Sequence, residues 1–172
     1  MRVAAFDHVH IYAADPASTL AFYRRHFGAE HLGDLPNAQG GVNQFLLIGG
    51  QLVVVGAFPP GLAPAAPPPV GDGAHAAGFG IAHVGINVDD VDAAVRELEA
   101  AGVPVLSPVR GGGLVRYAYI QAPDGVIIEL TAYQVKGALR AALPLLAAYN
   151  RLVHAARRAL VKAGLPAGSR QR

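Results

Sequence analysis

The chain has no cysteine, which excludes a disulfide scaffold, a thiolate zinc site, an iron–sulfur cluster and a cysteine nucleophile together. Charge is also scarce. Only 15% of the 172 residues are charged against 52% apolar, so the chain is not disordered over most of its length. A domain this long buries roughly 70% of its unfolded surface and needs no staple. Long hydrophobic runs are missing. The longest, residues 45–58, has 14 residues with Gly49-Gly50 and Gln51 inside it, too short to span a bilayer. The first ten residues, MRVAAFDHVH, lack the apolar segment and cleavage site of a secretory signal. The expectation is a soluble cytoplasmic protein with no integral membrane segment. Acid is absent from the end of the chain: residues 1–130 carry all 12 acids and six bases, net −6, while residues 131–172 carry eight bases, net +8. The basic balance therefore belongs to the tail. An acidic body with no recognised motif argues against nucleic-acid binding.

What is present is a repeat. FDHVHIYAADPASTLAFYRRHFGAE at 6–30 matches IAHVGINVDDVDAAVRELEAAGVPV at 81–105. Aligning His8 with His83 gives an offset of 75 residues, which also superposes Val9 on Val84, Ile11 on Ile86 and Asp15 on Asp90. In the first copy a β-rich run ends at Asp15-Pro16, a natural N-cap and first helical residue. Leu20, Phe22, Tyr23 and Phe27 then form an apolar stripe that Gly28 stops. In the second copy Asp89 or Asp90 is the cap, Val91, Ala94, Val95 and Leu98 face inward, and Gly102 is the stop. Two hairpins follow, one across Gly49-Gly50 and one across Ala122-Pro123-Asp124-Gly125. Strands near 30–35 and 103–108 complete a βαβββ module in each half, a mixed α+β fold.

The modules span 1–57 and 81–134. Residues 58–80 hold six prolines and read as a semi-extended linker, with His75 in solvent. A basic helical tail occupies 135–172, helical by pattern from 137 to 163, with Pro144 marking a break or a second helix start. Leu145, Tyr149, Leu152, Ala156 and Leu160 share one face, expected to dock. Arg151, His154, Arg158 and Lys162 run along another, expected to be solvated, with contact to an anionic surface as the alternative.

His8 and His83 hold equivalent positions in the repeat, and Glu129 lies in the apolar run VIIELT, where an unpaired carboxylate is costly to bury. Two imidazoles and one carboxylate make a facial triad, which leaves three positions of a six-coordinate divalent metal open. Gly111-Gly112-Gly113 lacks the lysine of a phosphate loop and reads as a flexible turn. No serine sits in a nucleophile elbow.

The paired modules, with HVHIYAADPASTLAFY, HVGINVDDVDAAVRELEAAGV and APDGVIIEL, resemble the vicinal oxygen chelate superfamily over about residues 5–133. That superfamily includes glyoxalase I, methylmalonyl-CoA epimerase, extradiol dioxygenases and metal-free bleomycin- and fosfomycin-type resistance proteins. The resemblance implies that the modules curl their sheets into a cup, with His8, His83 and Glu129 as metal ligands at its centre. The modules pair within one chain or across an expected homodimer. One departure concerns Val54. The offset makes it the counterpart of Glu129, where four-ligand members carry a carboxylate or amide, so the site resembles the three-ligand extradiol arrangement. A slipped register would offer Gln51 instead.

His10 shares a strand face with His8 and is the candidate general base, against a plainer role of lining the cup or orienting His8. Tyr117 and Tyr119 face the cup together or not at all, with Tyr12 as a further candidate and core packing as the alternative, and Arg116 points the other way. The resemblance implies a metal-dependent enzyme acting on a small molecule with two neighbouring oxygens, with Fe2+ dioxygenation ahead of a glyoxalase- or epimerase-like lyase or isomerase. Mn2+, Ni2+, Co2+ and Zn2+ fit the same ligands. A non-catalytic small-molecule binding or resistance protein is the third reading.

Overall fold

A computed structural model describes residues 6–38, 40–62, 81–113, 115–134 and 138–169. His75 and most of the 58–80 linker lie outside the described residues. The order is β1 (His8–Ala13), α1 (Pro16–Phe27), β2 (Glu30–Pro36), β3 (Val42–Ile48), β4 (Gln51–Ala57), then β5 (Val84–Asn87), α2 (Val91–Ala100), β6 (Arg110–Gly112), β7 (Val115–Gln121), β8 (Ile127–Tyr133) and a helix α3 (Ala138–Gly164). The strands form two four-stranded sheets, β1-β4-β3-β2 and β5-β8-β7-β6. Each module closes its own ladder. The chain divides into two compact units, residues 1–64 with 141–172, and residues 65–140.

Local chemistry starts and stops the helices as the sequence suggests. Asp15 accepts from the backbone N–H groups of Ala17 and Ser18, Pro16 opens α1, and Gly28 at φ 59° ends it. Ser18 also donates its hydroxyl to Asp15, which with the backbone donors holds that carboxyl below its ordinary pKa. Asp90, not Asp89, caps α2 through Ala93 N–H. Its end is a Schellman turn: Gly102 N–H donates to Glu99 C=O and Val103 N–H to Leu98 C=O. Gly49 and Gly50 both have positive φ, the requirement of the tight hairpin joining β3 to β4.

In each module the first strand pairs in parallel with the last, and the two ladders superpose at the offset of 75. Val9 pairs Val53 where Val84 pairs Ile128, and His10 pairs Val54 where Gly85 pairs Glu129. The register is therefore the one the repeat implies, and Gln51 is taken up at the hairpin opposite Ile48, its side-chain amide donating to Asp7 C=O.

Three expectations need correction. Residues 103–108 do not form a strand: Val105 makes an isolated bridge to Ile120, and the edge strand is Arg110–Gly112. Pro104 and Pro108 carry no N–H, so the ladder cannot continue through them, and the glycine run is an edge strand rather than only a turn. Pro144 does not break the tail helix, which runs through it. Finally, the faces of α3 are reversed. Leu145, Tyr149, Leu152 and Leu160 are 62–73% exposed, whereas His154, Arg158 and Lys162 turn onto the first module.

The reversal has a physical cause. The sheet face opposite α1 presents Glu30, with the carbonyls of Phe6 and Asp7 near the start of β1. His154, Arg158 and Lys162 gather on Glu30, and Arg157 donates to the carbonyls of Phe6 and Asp7. Burial alone would raise the Glu30 pKa, but the Arg158 hydrogen bond and charge, with Lys162 and His154, hold it below the ordinary value. Past the helix, Leu165 is buried among Leu32, Leu47 and Leu52, with Leu35, Phe45 and Val161 around them. A Cβ at Gly33 would overlap Leu165 and the Ser169 carbonyl, so only glycine admits the tail there.

Leu165→Ala should cost about 3 kcal/mol, the range for a buried leucine truncated in a core, read as a lowered urea midpoint. Glu30 contributes stability above the ordinary carboxylate pKa, and that contribution fades as pH falls through its lower native value. Glu30→Gln should accordingly weaken the protein by about 1 kcal/mol near neutrality. The gap to wild type should close on acidification, read from urea midpoints between about pH 3 and 7.

Candidate functional site

In the second unit, His83 immediately precedes β5 and Glu129 sits centrally on β8. Glu129 is opposite Gly85 on one side and Tyr119 on the other. Its carboxylate is held from two directions: Oε1 accepts from the Tyr119 hydroxyl at 3.1 Å, and Oε2 lies 3.4 Å from His83 Nε2. The His83 ring also packs edge-on against Tyr119, centroids 5.4 Å apart. His83 Nδ1 is buried and unpaired, so the ring addresses the site through Nε2. Burial, then the hydrogen bond and charge of Glu129, raise the Tyr119 pKa, which keeps its hydroxyl a donor.

The separation of these two atoms tests whether a metal fits. At 3.4 Å they are beyond a normal hydrogen bond of about 2.7–3.2 Å. Two donors bound to one ion at about 2.1 Å, with an angle of 90–110°, stand about 3.0–3.4 Å apart. A neutral imidazole and an oriented carboxylate are also the donor chemistry a divalent ion takes. The pair fits. Among the described residues, no group of three His, Asp or Glu is gathered into a metal site.

The third expected ligand, His8, belongs to the first unit. Its Nδ1 is 2.7 Å from Asp7 Oδ2. His8, His10 and Tyr12 alternate onto one face of β1, opposite Val9, Ile11 and Ala13. His10 and Tyr12 have ring centroids 4.9 Å apart, and Tyr12 meets Phe58 at 5.5 Å. With Asn37 and Asn43 these rings border an open pocket of about 70 Å³. A Cβ at Gly56 would stand 2.7 Å from Asn43 Oδ1 and 3.1 Å from His10 Nε2, so glycine lets both polar groups close over the strand. Partial burial, with His8 adding like charge, lowers the His10 pKa. Val54, beside His10, is 3% exposed.

Tyr117 and Tyr119 do share a face, with centroids 5.8 Å apart, while Arg116 turns to the other side and pairs with Asp92 of α2 at 2.8 Å. Tyr119 is packed with Ile127, Leu106 and Tyr117 while its hydroxyl reaches Glu129. Three contributors escaped the sequence reading. Asp7 was legible as the neighbour of His8. Asn43 carried no signal. Ser107 sits between two prolines, and its hydroxyl accepts the buried N–H of Tyr119 at 3.2 Å. It replaces the carbonyl a continuous strand would have supplied. Ser107→Ala strands that N–H and should cost about 1–3 kcal/mol, read by chemical denaturation.

Comparison with known proteins adds the family. A comparison with curated proteins finds no match. Among solved structures, the fosfomycin resistance protein FosX from Listeria monocytogenes is 22% identical, covering 81% of this chain and 98% of that one, with a TM-score of 0.56. TnmS3, an antibiotic binding protein from Streptomyces sp. CB03234, is 21% identical over 78% and 99%, TM-score 0.58. A glyoxalase family protein from Bacillus cereus is 17% identical over 77% and 96%, TM-score 0.62. These likenesses show a shared fold. One FosX structure is a complex with Mn(II) and 1S,2S-dihydroxypropylphosphonic acid, which corrects the expectation that fosfomycin-type relatives are metal-free. The family model for the Glyoxalase/Bleomycin resistance protein/Dioxygenase superfamily matches residues 5–130, nearly the whole of both modules. With two βαβββ sheets in matching register, the chain belongs to that superfamily.

Proposed function

We propose that the protein is a metal-dependent enzyme of the vicinal oxygen chelate type, acting on a small molecule with two neighbouring oxygens. The observation that carries this reading is the His83–Glu129 pair, spaced for a shared ion and braced by Tyr119. His8, with Nδ1 committed to Asp7, supplies the third ligand in this reading. A divalent ion there supplies Lewis acidity toward the two oxygens and, as Fe2+, the means to use dioxygen.

The chain's own residues do the rest. Tyr119 orients the carboxylate, Tyr117 lines the same face, and Tyr12 and Phe58 offer an aromatic wall to the organic part of the substrate. His10 takes the proton from whichever substrate group binds as an anion. Val54 at the repeat position of Glu129 supports three protein ligands rather than four, and for that reason dioxygenation stands ahead of lyase or isomerase chemistry. The aromatic pocket by itself favours a second reading, a small-molecule binding protein that needs no metal.

Metal titration followed by calorimetry tests the reading. Wild type should bind Mn2+ or Fe2+, and His83→Ala and Glu129→Ala should each lose at least about tenfold in affinity. Wild-type affinity in both variants would overturn the metal site and leave the binding reading. Oxygen uptake with the Fe2+ form and a panel of catechols separates dioxygenase from isomerase. Val54→Glu should destabilise the metal-free protein, since it buries a carboxylate. Added metal should restore its melting temperature if that side chain reaches the ion.

A further inference from the structure

The reversed tail helix leaves an apolar face outward. Leu145 is 73% exposed, Leu146 51%, Tyr149 62%, Leu152 68% and Leu160 73%. These residues are not scattered. Leu145, Tyr149, Leu152, Ala156, Ala159 and Ala163 follow one another at spacings of 4, 3, 4, 3 and 4, the heptad seam of a helix that packs against another helix. Leu146, Val153 and Leu160 run beside it at intervals of seven. Large residues fill the first half of the seam and alanines the second.

We propose that α3 is a dimerisation helix, whose seam docks antiparallel on the same seam of a second copy of this chain. The distribution of sizes selects the orientation. In an antiparallel pair with its two-fold axis near residue 154, Leu145 faces Ala163, Tyr149 faces Ala159 and Leu152 faces Ala156. Every layer then joins a large side chain to a small one, as close packing requires. Leu146 and Leu160 of opposite helices meet alongside. A parallel pair would stack leucine on leucine and tyrosine on tyrosine, then leave the alanine half underfilled. The antiparallel arrangement is isologous and closes at two copies.

Charge and area agree. Residues 131–172 contain no acid, so a seam flanked by cations would repel its twin. The cations of α3 lie elsewhere. Arg157 is bound to backbone carbonyls, Arg158 and Lys162 to Glu30, and Arg140 and Arg151 sit more than about 100° around the helix from the seam. That placement also disfavours a lipid surface, which needs cations free at the border of the apolar face. The exposed large side chains present on the order of 700 Å² per copy, and the alanines bring this near the roughly 800 Å² per partner of a stable interface. The proposal is independent of the metal site.

Sedimentation velocity on the full chain at tens of micromolar, with three variants, provides the test. Wild type should sediment as a dimer, twice 17.7 kDa. Leu152→Glu puts a charge on an exposed position, so the fold survives, and it should sediment as a monomer with unchanged circular dichroism. The chain has no cysteine, so Ala155→Cys, close to the axis, should form a disulfide-linked dimer on mild oxidation, whereas Leu145→Cys should not. A monomeric wild type overturns the proposal, and its binding to phosphatidylserine vesicles would assign the face to a membrane. A Leu152→Glu dimer would place the interface elsewhere, and cross-linking through Leu145→Cys alone would make the pair parallel.

Discussion

The parallel pairing of the first strand of each module with its last decides what can stand beside what. Parallel neighbours cannot be joined by a tight turn, so the chain must leave the sheet and come back. Here it returns through a helix and an antiparallel hairpin, which gives the βαβββ order its shape. The pairing puts β1 on β4 and β5 on β8. It therefore brings residues 44 positions apart into direct contact, as in His10 with Val54 and Gly85 with Glu129. A slip of one residue would send His8, His10 and Tyr12 to the helix-covered face.

The tail shows a different balance. An apolar stripe on a helix usually turns inward, because burying each leucine is worth about 1.5–3 kcal/mol. Here the inward face includes cations. It holds because Val161 and Leu165 supply apolar contact along the same side, and because Glu30 offers one carboxylate to three basic groups. A part-buried carboxylate met by one cation gains little over water, but several donors on one oxygen pair offset its desolvation. The outer stripe then remains for something outside the chain.

Much of the fold was legible because its signals are local. Asp15-Pro16 and Gly28 bracket α1, Gly49-Gly50 makes one hairpin, and Pro123-Asp124-Gly125 the other. None of these depends on distant packing. The repeat singled out His8 and His83, and the apolar run VIIELT singled out Glu129; of the three, His83 and Glu129 stand together in the second unit. What stayed hidden was tertiary. Nothing in the tail's own pattern says that Glu30, more than a hundred residues earlier, faces it. Ser107 acquires its role only because two prolines interrupt the edge of the sheet. Those prolines were in view, and they already argued against a strand at 103–108.

Superposing the modules finally shows how duplicated scaffolds diverge. At one pair of equivalent positions the first module has His10 beside Val54, and the second has Gly85 beside Glu129. Each pair matches one chemically active side chain with one that is inert. They are on opposite strands, so imidazole comes from the first module and carboxylate from the second. Identical modules carrying both groups would set a carboxylate beside each second histidine, tying it in an ion pair. Dividing them frees His10 from a carboxylate partner and leaves Glu129 to Tyr119 and His83. The asymmetry thus keeps the His10 imidazole and the Glu129 carboxylate on different modules, within a backbone whose registers have stayed the same.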